Sequence, residues 1–85
     1  MLILRHLSFH ALIVPKKHIS CLDDATVEDS EILAHMLLKA SEIAAQQGVV
    51  NGYRVVINNG EDGDQTVQHL HMHLLGKRKL NWPPG

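Results

Sequence analysis

Three histidines stand at alternate positions near the C-terminal end of the chain, His69, His71 and His73, with Leu70, Met72 and Leu74 between and after them. In a strand, residues two apart point the same way, so this spacing puts three imidazoles on one face and the apolar side chains in a core. A half-buried strand that needed only solubility would carry Thr, Lys, Glu or Gln there, since histidine brings neither β-propensity nor permanent charge. Three uses of such a face compete. Neutral imidazoles are zinc ligands, but alternate residues on one strand need a further ligand from elsewhere, and Cys21 is remote in sequence. The histidines are alternatively an ordinary solvated face, which is how His6, His18 and His35 are read among the seven in the chain. The third use is covalent catalysis. An imidazole nitrogen attacks phosphorus when its other nitrogen is held as a donor, which fixes the tautomer and frees the attacking lone pair. Neighbouring imidazoles can supply that hydrogen bond, stabilise phosphoryl oxygens or pass a proton to the leaving group.

The residues just before the triad favour the third use. Gly63-Asp64-Gln65-Thr66 leads directly into the histidines, so backbone N–H groups there are expected to form an anion-binding nest, with the Thr66 hydroxyl beside it. An ordinary hairpin connection is the plainer reading, and Glu61, Asp62 and Asp64 oppose a phosphate unless they point outward.

Positioning these groups takes a small set of elements. Phe9 to Val14 is rich in β-formers and ends at Pro15, which cannot donate to a ladder; its alternation puts His10, Leu12 and Val14 on one face. Thr26 with Asp29 resembles a capping box, after which Ile32, Leu33, Met36, Leu37, Ala40, Ile43 and Ala44 recur as one helical stripe, with His35 just outside it. Gly48 is a C-terminal stop. Tyr53 to Asn58 reads as a second strand, with Tyr53, Val55 and Ile57 opposite Arg54, Val56 and Asn58, and the loop 59–66 connects it to the histidine strand, which Gly76 interrupts. The expectation is α+β, an antiparallel sheet with one long amphipathic helix.

Composition sets further bounds. Eighty-five residues at 45% apolar make one small core, for which a second chain would provide useful covering. Eight Lys and Arg against nine Asp and Glu give a formal net charge of −1, without the positive field of a nucleic-acid binder; Lys16-Lys17 and Lys77-Arg78-Lys79 read as solvated strand ends. The single Cys21 excludes an internal disulfide. No apolar run has the length of a membrane span, and Arg5, His6 and His10 break the Met1-Leu2-Ile3-Leu4 opening, so the expected compartment is intracellular.

His-φ-His-φ-His-φ-φ, with φ apolar, is the signature of the histidine triad family, and His69 to Leu75 resemble it at every position. The resemblance extends to His10-Ala-Leu-Ile-Val-Pro15-Lys-Lys-His18-Ile-Ser20, Gly52-Tyr53-Arg54, Asn58, Gly60, Gly63, Gln65 and the closing Trp82-Pro-Pro-Gly85, which are similar to the Hint branch, the nucleotide-binding histidine triad proteins. It implies a homodimeric purine nucleoside phosphoramidase that hydrolyses the P–N bond of adenosine or guanosine 5′-phosphoramidates without metal or organic cofactor, in the cytoplasm and also the nucleus. His71 would be the nucleophile and His69 would orient it. His73 would contact the phosphate. His10 and Thr66 would relay a proton to the departing amine, Asn58 and the backbone of Asp64, Gln65 and Thr66 would hold the phosphate, and Trp82 would reach towards the partner protomer's site. The dinucleoside polyphosphate hydrolases, which use the same nucleophile on an anhydride, are the alternative within the family. A binding fragment with impaired catalysis is the alternative outside enzymology.

Residues 1–9 do not resemble the family, and the domain is expected to run from His10 to Gly85, N-terminally shortened. The region replaced would supply base and ribose contacts, so weakened nucleoside affinity and an unpaired sheet edge are expected. Asp64 stands where a glycine is usual and Gln68 where an aromatic is common.

Overall fold

The computed structural model describes residues 2–5 through their backbone and residues 9–85 in full; His6 lies outside the described residues. Four strands form one antiparallel sheet: β1 (Leu2–Arg5), β2 (Phe9–Ile13), β3 (Tyr53–Val56) and β4 (Met72–Gly76), in the order β1-β2-β4-β3. β2 and β3 flank β4, with Leu12 and Val56 both opposite His73, and Ala11 and Val55 both opposite Leu74.

β2 is not an edge of the sheet. Leu2–Arg5 pairs with it along its length, Leu2 opposite Ile13 and Arg5 opposite His10, so the edges of the sheet are β1 and β3. A four-residue apolar run carries no periodicity that separates a strand from anything else, which is why this strand was not foreseen.

The alternation of faces holds. Phe9, Ala11 and Ile13 are buried while His10 and Leu12 are half-buried, and Leu70, Met72 and Leu74 are the largest fully buried side chains. At about 1.5–3 kcal/mol for each such side chain, these three anchor the histidine segment to the core. Only its second half is ladder, however. β4 begins at Met72, and the Leu70 N–H goes instead to the carbonyl of Ile19 at 2.6 Å, so His69 to His71 is an extended approach segment fastened to another part of the chain.

One helix, α1 (Ser30–Gln46), covers the buried face of the sheet through Met36, Ala40, Ile43 and Ala44, with Ile32 and Leu33 partly buried against the same core. Leu37, expected in the stripe, lies outside it at 56% exposure. The capping box is formed. The Asp29 carboxylate accepts the Thr26 N–H at 3.0 Å, and the Thr26 hydroxyl accepts the Glu28 N–H at 3.3 Å. Asp29 is buried and paired with Lys17 at 2.5 Å, which fastens the chain after β2 to the start of the helix. At the other end Gly48 takes φ +72°, its N–H donates to Ala45 and the Val49 N–H to Ala44. That pair of bonds satisfies carbonyls the helix leaves open, and it requires the left-handed residue that glycine supplies. No helix among the described residues is long and apolar enough to cross a membrane.

Candidate active site

With the helix on one face of the sheet, the histidines occupy the other. His71 donates its Nδ1–H to the carbonyl oxygen of His69 at 2.7 Å. A carbonyl only accepts, so the proton sits on Nδ1 and the Nε2 lone pair is left to act as a nucleophile. The acceptor for that N–H, expected to be a neighbouring imidazole, is thus a main-chain carbonyl two residues back, a fixed group with no proton of its own to exchange.

The neighbouring rings form a connected row. His73 lies edge-on to His71 with centroids 5.1 Å apart, and His10 lies 5.1 Å beyond, its Nε2 2.8 Å from His73 Nδ1. Register explains the approach. His10 pairs with Leu75 and Leu12 with His73, so His10 and His73 are diagonal neighbours on one face, within reach of two imidazoles. One proton lies between their two nitrogens, and a proton held there is one ring away from His71. His69 turns the other way, donating Nε2–H to the Pro15 carbonyl at 3.1 Å.

His18, read from sequence as a solvated residue, packs edge-on against His69 at 5.0 Å and 89°. Its signal was present in the sequence only as the His18 of the Pro-Lys-Lys-His segment; spacing along the chain does not link positions 18 and 69. His35 is exposed on α1, as expected.

The loop before the triad is braced by its own side chains. Asn58 donates Nδ2–H to the Gly63 carbonyl at 2.6 Å. Gln65 accepts the Gly60 N–H at 3.0 Å through Oε1 and donates through Nε2 to the carbonyls of Ser20 at 2.8 Å and Val67 at 3.0 Å. The Gln65 amide is therefore fully engaged in holding the loop to the segment after β2, a structural task that the sequence reading had not given it. The nest is also smaller than expected. The Asp64 N–H donates to Glu61 and the Gln65 N–H to Gly60, both at 3.0 Å, which leaves the Thr66 amide as the member of that trio outside the loop's own bonds. Asp64 holds φ +58°, a left-handed conformation that Asp tolerates and glycine takes freely. Its side chain is exposed, as are those of Glu61 and Asp62. Thr66 is exposed as well and is not joined to His10 among the described residues. Trp82 is 79% exposed, and the tail that carries it is tied to the sheet by Arg54, whose Nη2 donates to the Asn81 carbonyl at 3.1 Å.

His10, His69, His71 and His73 are half-buried. Two clefts in the described surface, one between residues 48–54 and 77–80 and one between the end of β2 and α1, take in none of His10, His69, His71 and His73.

Comparison with known proteins agrees with this arrangement. The HIT domain family model matches residues 6–80. An uncharacterised HIT-like protein of Synechococcus elongatus is 55% identical over 76 residues, covering 89% of this chain and 67% of the relative. A 14 kDa zinc-binding protein of Zea mays is 49% identical over 78 residues, covering 89% of this chain and 61% of its own length. The chain thus spans about two thirds of the curated relatives it matches. The crystal structure of a HIT family hydrolase from Legionella pneumophila superposes with a TM-score of 0.89 at 38% identity, covering 99% of this chain and 87% of that one.

The name of the maize relative raises zinc as a question for these histidines. Four of their ring nitrogens are already engaged: His71 Nδ1 and His69 Nε2 carry protons directed at carbonyls, and His10 Nε2 and His73 Nδ1 face each other. Among the described residues no three His, Cys, Asp or Glu side chains are grouped so as to hold a metal ion. What the relatives share with this chain is the whole frame, from the segment around β2 through the helix to the histidine strand, and a match of that extent makes the chain a member of the HIT-domain family.

Proposed function

We propose that the protein is a purine nucleoside phosphoramidase that cleaves the P–N bond of adenosine or guanosine 5′-phosphoramidates through a nucleotidyl-imidazole on His71. The observation that carries this reading is the Nδ1–H of His71 held on the His69 carbonyl at 2.7 Å. A nitrogen nucleophile whose tautomer is set before substrate arrives needs no proton transfer to attack.

The chemistry follows in two displacements. His71 Nε2 donates its lone pair to phosphorus and the P–N bond to the leaving group breaks, its electron pair and a proton from the His10–His73 pair leaving with the amine. Water then attacks the same phosphorus, the bond to Nε2 breaks, and the water's proton returns to that pair as the nucleoside monophosphate departs. The phosphoryl oxygens are held by the Thr66 amide and by Asn58, which exchanges or shares its bond to Gly63; donors aimed at charge developing in the transition state are worth more than those that bind the ground state equally. In this reading the relay is assigned to His10 and His73, whose imidazoles are in contact, and Thr66 to the phosphate.

A homodimer belongs to the same reading. Leu37 and Leu38 on α1 and Tyr53 on the edge strand β3 are exposed apolar side chains, of the kind that a second copy would cover.

The test is turnover of an adenosine 5′-phosphoramidate bearing a fluorescent amine, beside a diadenosine polyphosphate as the competing class. Release of amine that His71→Ala abolishes supports the assignment. Faster turnover of the anhydride would move it to the dinucleoside polyphosphate hydrolases.

A further inference from the structure

The peptide group that fixes the tautomer of His71 is itself held by the segment following β2. Its carbonyl, on His69, accepts the His71 Nδ1–H at 2.7 Å, while its N–H, on Leu70, donates to Ile19 at 2.6 Å. One amide therefore links the Ile19 carbonyl to the nucleophile, and hydrogen bonds in series polarise one another. The His69 side chain makes a third tie, Nε2–H to the Pro15 carbonyl at 3.1 Å. Two of these ties, Leu70 N–H to Ile19 and His69 Nε2–H to Pro15, fasten residues 69–70 to residues 15–19, so the orientation of the amide depends on the His69 ring staying where it is.

What keeps it there is His18, whose ring meets that of His69 at right angles with centroids 5.0 Å apart. His18 is exposed and its side chain makes no hydrogen bond among the described residues; its side chain meets the site through the ring contact. Edge-to-face packing between aromatic rings is directional and resists rotation of either partner. We propose that His18 is a positioning residue for the nucleophile: by packing edge-on against His69 it keeps the 69–70 amide oriented to hold His71 as the Nδ1–H tautomer. The proposal rests on the reading of His71 as nucleophile.

Without that ring His69 gains rotamers that leave the Pro15 carbonyl, the amide loosens, and His71 populates the tautomer whose lone pair is on Nδ1, turned away from phosphorus. The loss falls on the fraction of nucleophile correctly set, so it reads out in kcat rather than KM.

The experiment uses the full chain labelled with ¹⁵N. The His71 tautomer is read from its two-bond proton–nitrogen correlations, and kcat and KM are measured on the fluorescent adenosine phosphoramidate, for the native protein and for His18→Ala, His18→Phe and His18→Gln. In His18→Ala the Nε2–H share of His71 rises and kcat falls about tenfold with KM within about twofold. Phenylalanine, which keeps the ring but carries no nitrogen, restores both; glutamine restores neither. A His18→Ala protein with unchanged tautomer and kcat overturns the proposal, and so does rescue by glutamine but not phenylalanine. Should the native chain turn over no phosphoramidate, the assignment of function fails, and the tautomer measurement still decides the role of His18.

Discussion

Gly63→Ala is the substitution whose consequence can be worked most directly from the loop beside the histidines. A Cβ built on Gly63 would run into the carbonyl oxygen of Asn59 and sit 2.9 Å from its nitrogen and 3.1 Å from its carbonyl carbon. These are backbone atoms, so no side chain can swing aside to make room. Ordinary contact requires the loop to open by about an ångström, and three bonds cross the opening: Asp64 N–H to Glu61 and Gln65 N–H to Gly60, each at 3.0 Å, and Asn58 Nδ2–H to Gly63 at 2.6 Å. An added ångström takes N–H···O contacts out of hydrogen-bonding range. At about 0.5–1.5 kcal/mol net for each bond, with water replacing part of the loss at exposed positions, the expected destabilisation is about 2 kcal/mol. For a domain of this size that lowers the melting temperature by about 10 °C. Because the loop carries Asn58 and the Thr66 amide next to His71, kcat/KM on the fluorescent phosphoramidate should fall by about tenfold or more even at temperatures where the variant is folded. Thermal melts followed by circular dichroism, with turnover measured well below the transition, decide the matter. A Gly63→Ala protein with native melting temperature and native kcat/KM would refute the reasoning that this loop is a rigid, sterically closed platform.

Leu74 is fully buried between Ala11 of β2 and Val55 of β3, so Leu74→Ala should cost about 3 kcal/mol and Leu74→Met less than about 1.5 kcal/mol in urea unfolding. The bond to Lys17, with the Thr26 N–H behind it, holds the Asp29 carboxyl below the usual carboxylate range, and the bond to Asp29 in turn raises Lys17. A depressed carboxylate contributes stability that is present above its ordinary range and is lost as pH falls through its lowered folded value; the raised lysine contributes stability that is lost as pH climbs through its folded value. Asp29→Asn should therefore be less stable than the native protein near neutrality, with the gap closing as pH drops below the carboxylate range, as measured by urea midpoints at stepped pH; a gap independent of pH on the acid side would contradict the pairing.

The parts of the fold that follow from short-range pattern were legible in the sequence. Alternation put His10 and the triad on the face opposite Phe9, Ala11, Leu70, Met72 and Leu74, and it held through His69 to His71, where no ladder exists. The capping box at Thr26 and the Gly48 stop are local chemistry of the same kind. What escaped is set by contacts between distant positions. Nothing in the spacing of the residues says that the Pro15 carbonyl will meet the ring of His69, that Ile19 will take the Leu70 N–H, or that Gln65 will reach Ser20. Those ties place the exposed His18 beside His69 and give the Gln65 side chain the task of bracing the loop. They also shortened the expected strand, since an N–H given to Ile19 is not available to a ladder. The family resemblance named His71 among the residues proposed for the site, and the geometry shows which of its two nitrogens carries the proton, the Nδ1 held on the His69 carbonyl.

The central claim is that His71 Nε2 becomes covalently bonded to phosphorus. Rapid quenching of the native protein with an adenosine 5′-phosphoramidate, followed by intact-mass and peptide mass spectrometry, measures it directly. The account predicts an adenylyl adduct that appears before the amine-release rate becomes steady, maps to His71 and is absent from His71→Ala. An adduct on another histidine, or undiminished amine release by His71→Ala, would contradict it.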